Sequence, residues 1–269
     1  MAHWLKTGIR LAALAMLALP LRSALGADAA HPTVVELFQS QGCSSCPPAE
    51  ANVGAIADRP DVLALAFEVD YWDRLGWKDT FSKAAWTARQ YAYARAMGRD
   101  GVYTPQVVVN GRVEGDGLEP GELSGLISRG DRGAGGPNVG FSGGAVSVGA
   151  GAAPSGGADV WLARFIPRTV EVAIPRGENA GHTLPYKDVV REMVLLGHWR
   201  GEAATFPLPG VDSDLAEAAI VQGAGCGPVI AAARKLSASC SPPVRAWRQT
   251  AGSRSPRGKP STGDRRSAA

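Results

Sequence analysis

Cys43-Ser44-Ser45-Cys46 stands between the apolar run Val34-Val35-Glu36-Leu37-Phe38 and a helix-compatible segment that opens at Pro47. Two thiols this close, where a strand hands over to a helix, close and reopen a small disulfide because each sulfur stays within reach of the other. The motif therefore asks for a tight strand-loop-helix turn and a βαβ-like surrounding. The same spacing also serves as half of a zinc site, but no second C-x-x-C or H-x(3–5)-H follows, and His31, His182 and His198 are scattered. A redox pair is the leading reading. An inert disulfide that pins the loop and copper or zinc handling by soft thiolates are its alternatives.

The first 27 residues carry Lys6, Arg10 and Arg22 without an acid, around an apolar stretch from Leu11 to Leu21. Ala24-Leu25-Gly26 or Ala27-Asp28-Ala29 offers small residues for cleavage, so this segment reads as a secretory signal peptide. Pro20 and Arg22 leave about eleven apolar residues where about twenty are needed to cross a bilayer. The expectation is an exported protein, periplasmic or secreted, with no stable membrane anchor after cleavage. In such an oxidising compartment Cys43 and Cys46 rest as a disulfide unless something reduces them.

Net charge is +3, but the tail beyond Ser241 holds seven basic residues against Asp264, and the leader adds three more. The segment between them is thus acidic at −6. An acidic body argues against a nucleic-acid surface. Residues 241–269 are rich in Ser, Pro, Arg and Gly with little to bury and read as a disordered basic tail.

Between residues 31 and 130 the pattern predicts a strand over Val34–Phe38, the C-S-S-C loop, a helix from Pro48 to about Ala57 and a strand over Val62–Val69. A second helix is predicted over Asp79–Met97, capped by Asp79 or Thr80, with Phe81, Ala85, Ala88 and Ala92 on its apolar face. Gln106–Val109 and Arg112–Glu114 flank Asn110-Gly111, a hairpin signal because both turn positions need positive φ. Leu118–Ser128 supplies a last helix. The order β-α-β-α-β-β-α gives an α/β domain with helices on both faces of a mixed sheet.

These residues resemble the thioredoxin fold, through C-S-S-C after the first strand and Thr104-Pro105 at the start of the third. More narrowly, Glu36-Leu37-Phe38-Gln39-Ser40-Gln41-Gly42-Cys43-Ser44-Ser45-Cys46-Pro47-Pro48-Ala49, Tyr71-Trp72-Asp73 and Tyr103-Thr104-Pro105-Gln106 look like secreted thioredoxin-like proteins known as domain of unknown function 1223. The resemblance implies that Cys43 is the exposed attacking thiol, that Cys46 resolves the mixed disulfide, and that Pro105 is cis and faces the pair. It further implies a buried acid near Glu36 that relays a proton, against an exposed strand position from the alternation of Val35 and Leu37. Thr104 would edge a substrate strand, while Tyr71, Trp72 and Trp77 would rim its cleft or simply cover a core edge. Pro47-Pro48 shifts the helix start toward Pro47, which leaves Cys43 less favoured by the helix dipole than in thioredoxin.

Residues 131–157 are rich in Gly, Ala and Ser and read as a linker, with Ala145–Val148 as a short strand inside it. Strand-like runs over Val160–Phe165, Thr169–Ile174, Val189–Leu196, Ala204–Leu208, Ala218–Gln222 and Val229–Ala233 suggest a separate small antiparallel sandwich over residues 158–236. Cys226 and Cys240 form a bridge or remain two unpaired thiols. Arg176-Gly177-Glu178-Asn179-Ala180-Gly181 reads as a hairpin loop, similar to a recurring stretch of the same family, with no chemistry assigned. Taken together, these residues lead to an exported thiol-disulfide oxidoreductase. It needs no bound cofactor; its partners are a protein or small-molecule thiol or disulfide and a redox partner protein. The rival is a non-catalytic binding module with a locked disulfide.

Overall fold

The computed structural model describes residues 26–210 and 214–235; the core of the expected leader, Cys240 and the basic tail lie outside them. The fold is mixed α/β, with a mainly sheet core and few helices. The first strand, β1 (Thr33–Gln39), is buried at all seven positions because it lies inside the sheet with both faces covered. It pairs in parallel with β2 (Val62–Glu68) and antiparallel with β3 (Gln106–Val109), which turns through Asn110-Gly111 into β4 (Val113–Gly115). Asn110 (φ 49) and Gly111 (φ 61) make the expected turn, and a Cβ on Gly111 would sit 2.6 Å from the Gly227 carbonyl oxygen.

Two helices cover one face of β1. Ala49, Val53 and Ala57, in and just after α1 (Cys46–Ile56), join Leu123 and Leu126 of α3 (Pro120–Gly130) against Val35 and Leu37. The start of α1 tolerates Pro47 and Pro48 because first-turn N–H groups have no intrahelical partner. The opposite face carries α2 (Ala84–Ala96), whose Trp86 and Tyr93 pack with Val34, Phe38 and Phe67. Two expectations fail here. The helix starts at Ala84 because Asp79 is engaged in the preceding turn, accepting from Gln41 N (2.7 Å) and Phe81 N (2.8 Å). Its buried stripe is Trp86, Arg89, Gln90, Tyr93 and Ala94, with Ala85 and Ala88 exposed, because burying two large aromatic side chains removes far more apolar area than burying alanines.

The second half does not fold as a separate sandwich. Its long strands β7 (Ala158–Ile166), β10 (Val189–Trp199), β12 (Ala216–Gly223) and β13 (Val229–Arg234) extend the same sheet, in the order β13-β12-β7-β10-β2-β1-β3-β4. The junction is the parallel contact of Val189 with Ala66, where Ala66 N donates to Asp188 O at 3.0 Å. Phe165, Ile220 and Val229 enter the same core as Phe38 and Phe67, and that shared burial is what separate domains would forfeit.

The stretch expected as a linker forms a hairpin, β5 (Val139–Ser142) and β6 (Ala145–Val148), which joins β11 (Ala204–Pro207) in a three-stranded sheet. Val146, Val148 and Phe206 cover Val160, Ala219, Val221 and Ala231 of the large sheet, so a local sandwich exists on its extension. A final hairpin, β8 (Val170–Ala173) and β9 (Thr183–Tyr186), pairs only with itself. Among the described residues, no helix is long and apolar enough to cross a membrane.

Glu36 and Arg89 meet beneath the α2 face. Arg89 Nε donates to Glu36 Oε2 at 2.7 Å and Nη2 to Oε1 at 2.8 Å, with side chains 8% and 1% exposed. Tyr93 Oη also donates to Glu36 Oε1 (2.6 Å), and Arg89 Nη2 reaches Gln222 Oε1 on β12 (3.0 Å). Arg89→Met, which strands the buried carboxylate, is expected to lower stability by about 3–5 kcal/mol, and adding Glu36→Leu to recover most of the loss. Guanidinium unfolding midpoints measure both, and a single variant within about 1 kcal/mol of wild type would refute the assignment.

Candidate functional site

At the C-terminal end of β1 the chain makes two tight turns into α1. Cys43 N donates to Ser40 O (3.1 Å) and Cys46 N to Cys43 O (3.2 Å), bringing the two Cα atoms to 5.5 Å with the sulfurs bonded to each other. Both cysteines are buried, at 0% and 2% exposure, while Ser44 and Ser45 between them face solvent. The expected exposed attacker, Cys43, is therefore covered in this state. Ser45 Oγ lies 3.3 Å from Cys43 Sγ and donates to the Thr104 carbonyl at 3.4 Å, which sets Thr104-Pro105 beside the disulfide loop. The Thr104–Pro105 bond is cis and Pro105 is buried.

The aromatic residues of the loop after β2 brace this arrangement. Trp72 Nε1 donates to Thr104 Oγ1 (2.8 Å), and Trp77 Nε1 donates to Gln41 Oε1 (3.0 Å), which also accepts from Thr80 N (3.1 Å). Tyr71 packs against the core beneath α2, with burial pushing its hydroxyl up to about 12. Both indoles are half-buried and spend their only donor on the two loops that flank the disulfide.

The acids near the pair are not the one the sequence singles out. Glu36 is buried, so an exposed strand position is ruled out, and it faces α2 with its oxygens taken by Arg89 and Tyr93. On the other face, Glu50 stands one helical turn after Cys46 and shares with it a cavity of about 20 Å³, room for one water, that Gln39, Leu184 and Tyr186 also line. Glu50 accepts from Gln39 Nε2 (2.5 Å) and Lys187 N (2.7 Å), yet burial outweighs both bonds and pushes its carboxyl up to about 7. Burial likewise drives Glu68 well above the carboxylate range, with Asp79 adding to it, and raises Asp79 itself. Tyr186 is raised by burial and then by these three carboxyls.

A distant segment closes the site. Asn179, 6% exposed in the turn between β8 and β9, donates from Nδ2 to Gln41 O (2.9 Å) and Cys43 O (3.0 Å). Its neighbour Glu178 accepts at Oε2 from Ser44 Oγ (2.6 Å) and Ser44 N (3.1 Å), and those bonds hold its carboxyl below the usual range. Glu50 is foreseeable from its i+4 spacing to Cys46 on a helix. Nothing local to Arg176–Gly181 announces that it covers a loop more than 130 residues earlier.

Cys226, at φ 63, has its Sγ 3.8 Å from Arg89 Nη1, and burial pushes its thiol up; Cys240 lies outside the described residues. Among the described residues, no group of three His, Cys, Asp or Glu side chains is placed to hold a metal ion.

The Glu50 carboxyl makes a signed prediction. Its folded pKa of about 7 exceeds the ordinary 4.5, so the folded chain holds more protons than the unfolded one between those values. Its contribution is fully present below pH 4.5 and is lost as pH rises through about 7. Glu50→Gln is expected to flatten the decline, shifting the stability difference in favour of the variant by on the order of 3 kcal/mol across the window. Urea unfolding at a series of pH values checks it; parallel curves would refute it.

Residues 34–222 match the family model described as protein of unknown function (DUF1223). The crystal structure of protein AGR_C_4864 from Agrobacterium tumefaciens is similar at a TM-score of 0.65 and 33% sequence identity, over 78% of this chain and 95% of that one. No match is found among curated proteins. The matched span runs from β1 into β12 and so contains the disulfide, Thr104-Pro105, Glu50 and the Glu178-Asn179 turn: the chain belongs to the DUF1223 family of proteins of unknown function.

Proposed function

We propose that this protein is an exported, thioredoxin-like thiol-disulfide oxidoreductase acting through Cys43 and Cys46. The observation that carries this reading is a closed C-x-x-C disulfide at the N-terminus of α1 with a protonatable carboxyl, Glu50, sharing a cavity with Cys46. The succession β1-α1-β2-α2-β3-β4-α3 and the approach of Thr104-Pro105 to the loop add support.

A substrate thiolate attacks Sγ of Cys43, forms a mixed disulfide and expels Cys46 as a thiolate at the N-terminal end of α1, where Pro47 and Pro48 bring no N–H donor. Glu50, about half protonated near neutral pH, supplies the proton that makes Cys46 a thiol. The substrate's second thiolate then attacks the substrate sulfur of the mixed disulfide and releases Cys43 as a thiolate, which takes up a proton from solvent. The substrate leaves as a disulfide, the protein as a dithiol, and two electrons have moved; the reverse sequence reduces a substrate disulfide. No bound cofactor takes part. The partners are a thiol or disulfide substrate and a second redox protein that resets the pair.

The burial of Cys43 favours a second reading, a binding module whose disulfide stays closed. The reduction potential against glutathione separates the two. Exchange-active pairs lie between about −120 and −270 mV and structural ones below about −300 mV. The expected value falls in the first range, and one below about −300 mV would sink the oxidoreductase reading. Cys46→Ser is expected to accumulate a mixed disulfide through Cys43 with a model substrate, and Cys43→Ser to form none, as read by non-reducing mass spectrometry.

A further inference from the structure

The hairpin bonded to the disulfide loop belongs to neither the eight-stranded sheet nor the three-stranded one. β8 and β9 pair only with each other, and an isolated two-stranded hairpin is marginal in water. Its buried side chains are few: Ile174, Asn179 and Tyr186, with Glu171, Ala173, Pro175, Thr183 and Pro185 exposed. Gly177 (φ 83) and Gly181 (φ 84) bracket the tip in left-handed backbone that other residues resist. The tip reaches the site through four hydrogen bonds, two from Asn179 to the Gln41 and Cys43 carbonyls and two from Ser44 to Glu178.

We propose that residues 177–181 form a gate latched over the Cys43–Cys46 disulfide by Asn179 and Glu178, which must lift before a thiol reaches Cys43 Sγ. The purpose of the gate rests on the oxidoreductase reading above; its test does not. Breaking the latch moves no strand of the large sheet, so opening is a local event. It frees the Gln41 carbonyl, the Ser44 N–H and one lone pair of the Cys43 carbonyl, which still accepts from Cys46 N, and these are backbone partners that an extended substrate next to Thr104 needs; the Ser44 hydroxyl is freed beside them. Shut, the turn occupies those groups itself and excludes thiols from the sulfurs. Asn179 and Glu178 are thus positioning residues, and neither touches the reacting atoms.

The experiment follows reduction of the oxidised full-length chain by dithiothreitol, quenched with a polymer-linked maleimide that counts new thiols. Wild type is compared with Asn179→Ala and Glu178→Ala, and the equilibrium constant with glutathione is measured alongside. Losing two buried hydrogen bonds is expected to speed reduction of Asn179→Ala about tenfold or more, and Glu178→Ala by a smaller factor. Unlatching a gate accelerates reduction and reoxidation alike, so the equilibrium constant is expected to stay within about threefold. Rates within about twofold of wild type in both variants, or an equilibrium constant that moves as far as the rate, overturn the gate. Should Asn179→Ala not fold, exposed Glu178→Ala decides alone: a faster reduction supports the gate and an unchanged one overturns it. A reduction potential in the structural range defeats the oxidoreductase reading while leaving this rate comparison valid.

Discussion

The Glu36–Arg89 pair is the constraint around which the chain organises itself. Two charges at 1% and 8% exposure must satisfy each other, and the guanidinium has donors left over for Tyr93 and Gln222. These partners come from β1, α2 and β12, so the pair forms within the first half of the chain but its network is complete only when the second half is in place. The Arg89 guanidinium also lies over the rings of Phe67 (5.7 Å) and Tyr93 (5.0 Å), which seats its flat face against the core and leaves its edge to donate. An ion pair of this kind adds little net stability over a well-packed apolar substitute; what it does here is penalise arrangements in which either charge is left alone.

The site inherits its geometry from that fixed strand. Because side chains alternate along β1, Glu36 and Phe38 face α2 while Leu37 and Gln39 face α1. The acid that can serve Cys46 must therefore come from the α1 side, where Gln39 holds Glu50. Beyond Gln39 the chain hands over to Gln41, whose backbone and side chain take up Asp79, Thr80, Trp77 and Asn179. One buried glutamine thus gathers the loop after β2 and the β8–β9 turn onto the disulfide loop.

Features with a local cause were legible in the sequence. The apolar runs of β1 to β3, the Asn110-Gly111 turn and the strand-loop-helix setting of Cys43 and Cys46 all follow from periods and turn chemistry within a few residues. The exposed alternative for Glu36 rests on an alternation that assumes one wet face, and a strand covered on both faces has none. Apart from β5 and β9, the strands of the second half are visible as strands in the sequence, but which sheet the long ones join is decided by Val189 meeting Ala66, a contact no local pattern encodes. Asn179 was illegible for the same reason: its partners are the carbonyls of Gln41 and Cys43.

The continuity of the sheet bears on how this chain can be divided. A cut after residue 130 would keep the disulfide, Thr104-Pro105 and Glu50, and would look like a self-contained module. It would also strip β10 from β2, leaving the hydrogen-bonding edge of a fully buried, charge-poor strand open to solvent. Such an edge is a template for pairing with other chains. It would also leave Arg89 without Gln222 and uncover Phe38 and Phe67 where Phe165 and Ile220 had lain. The first half is thus expected to behave as an aggregation-prone fragment rather than a portable domain, and the disulfide and the hairpin bonded to its loop belong to one folding unit.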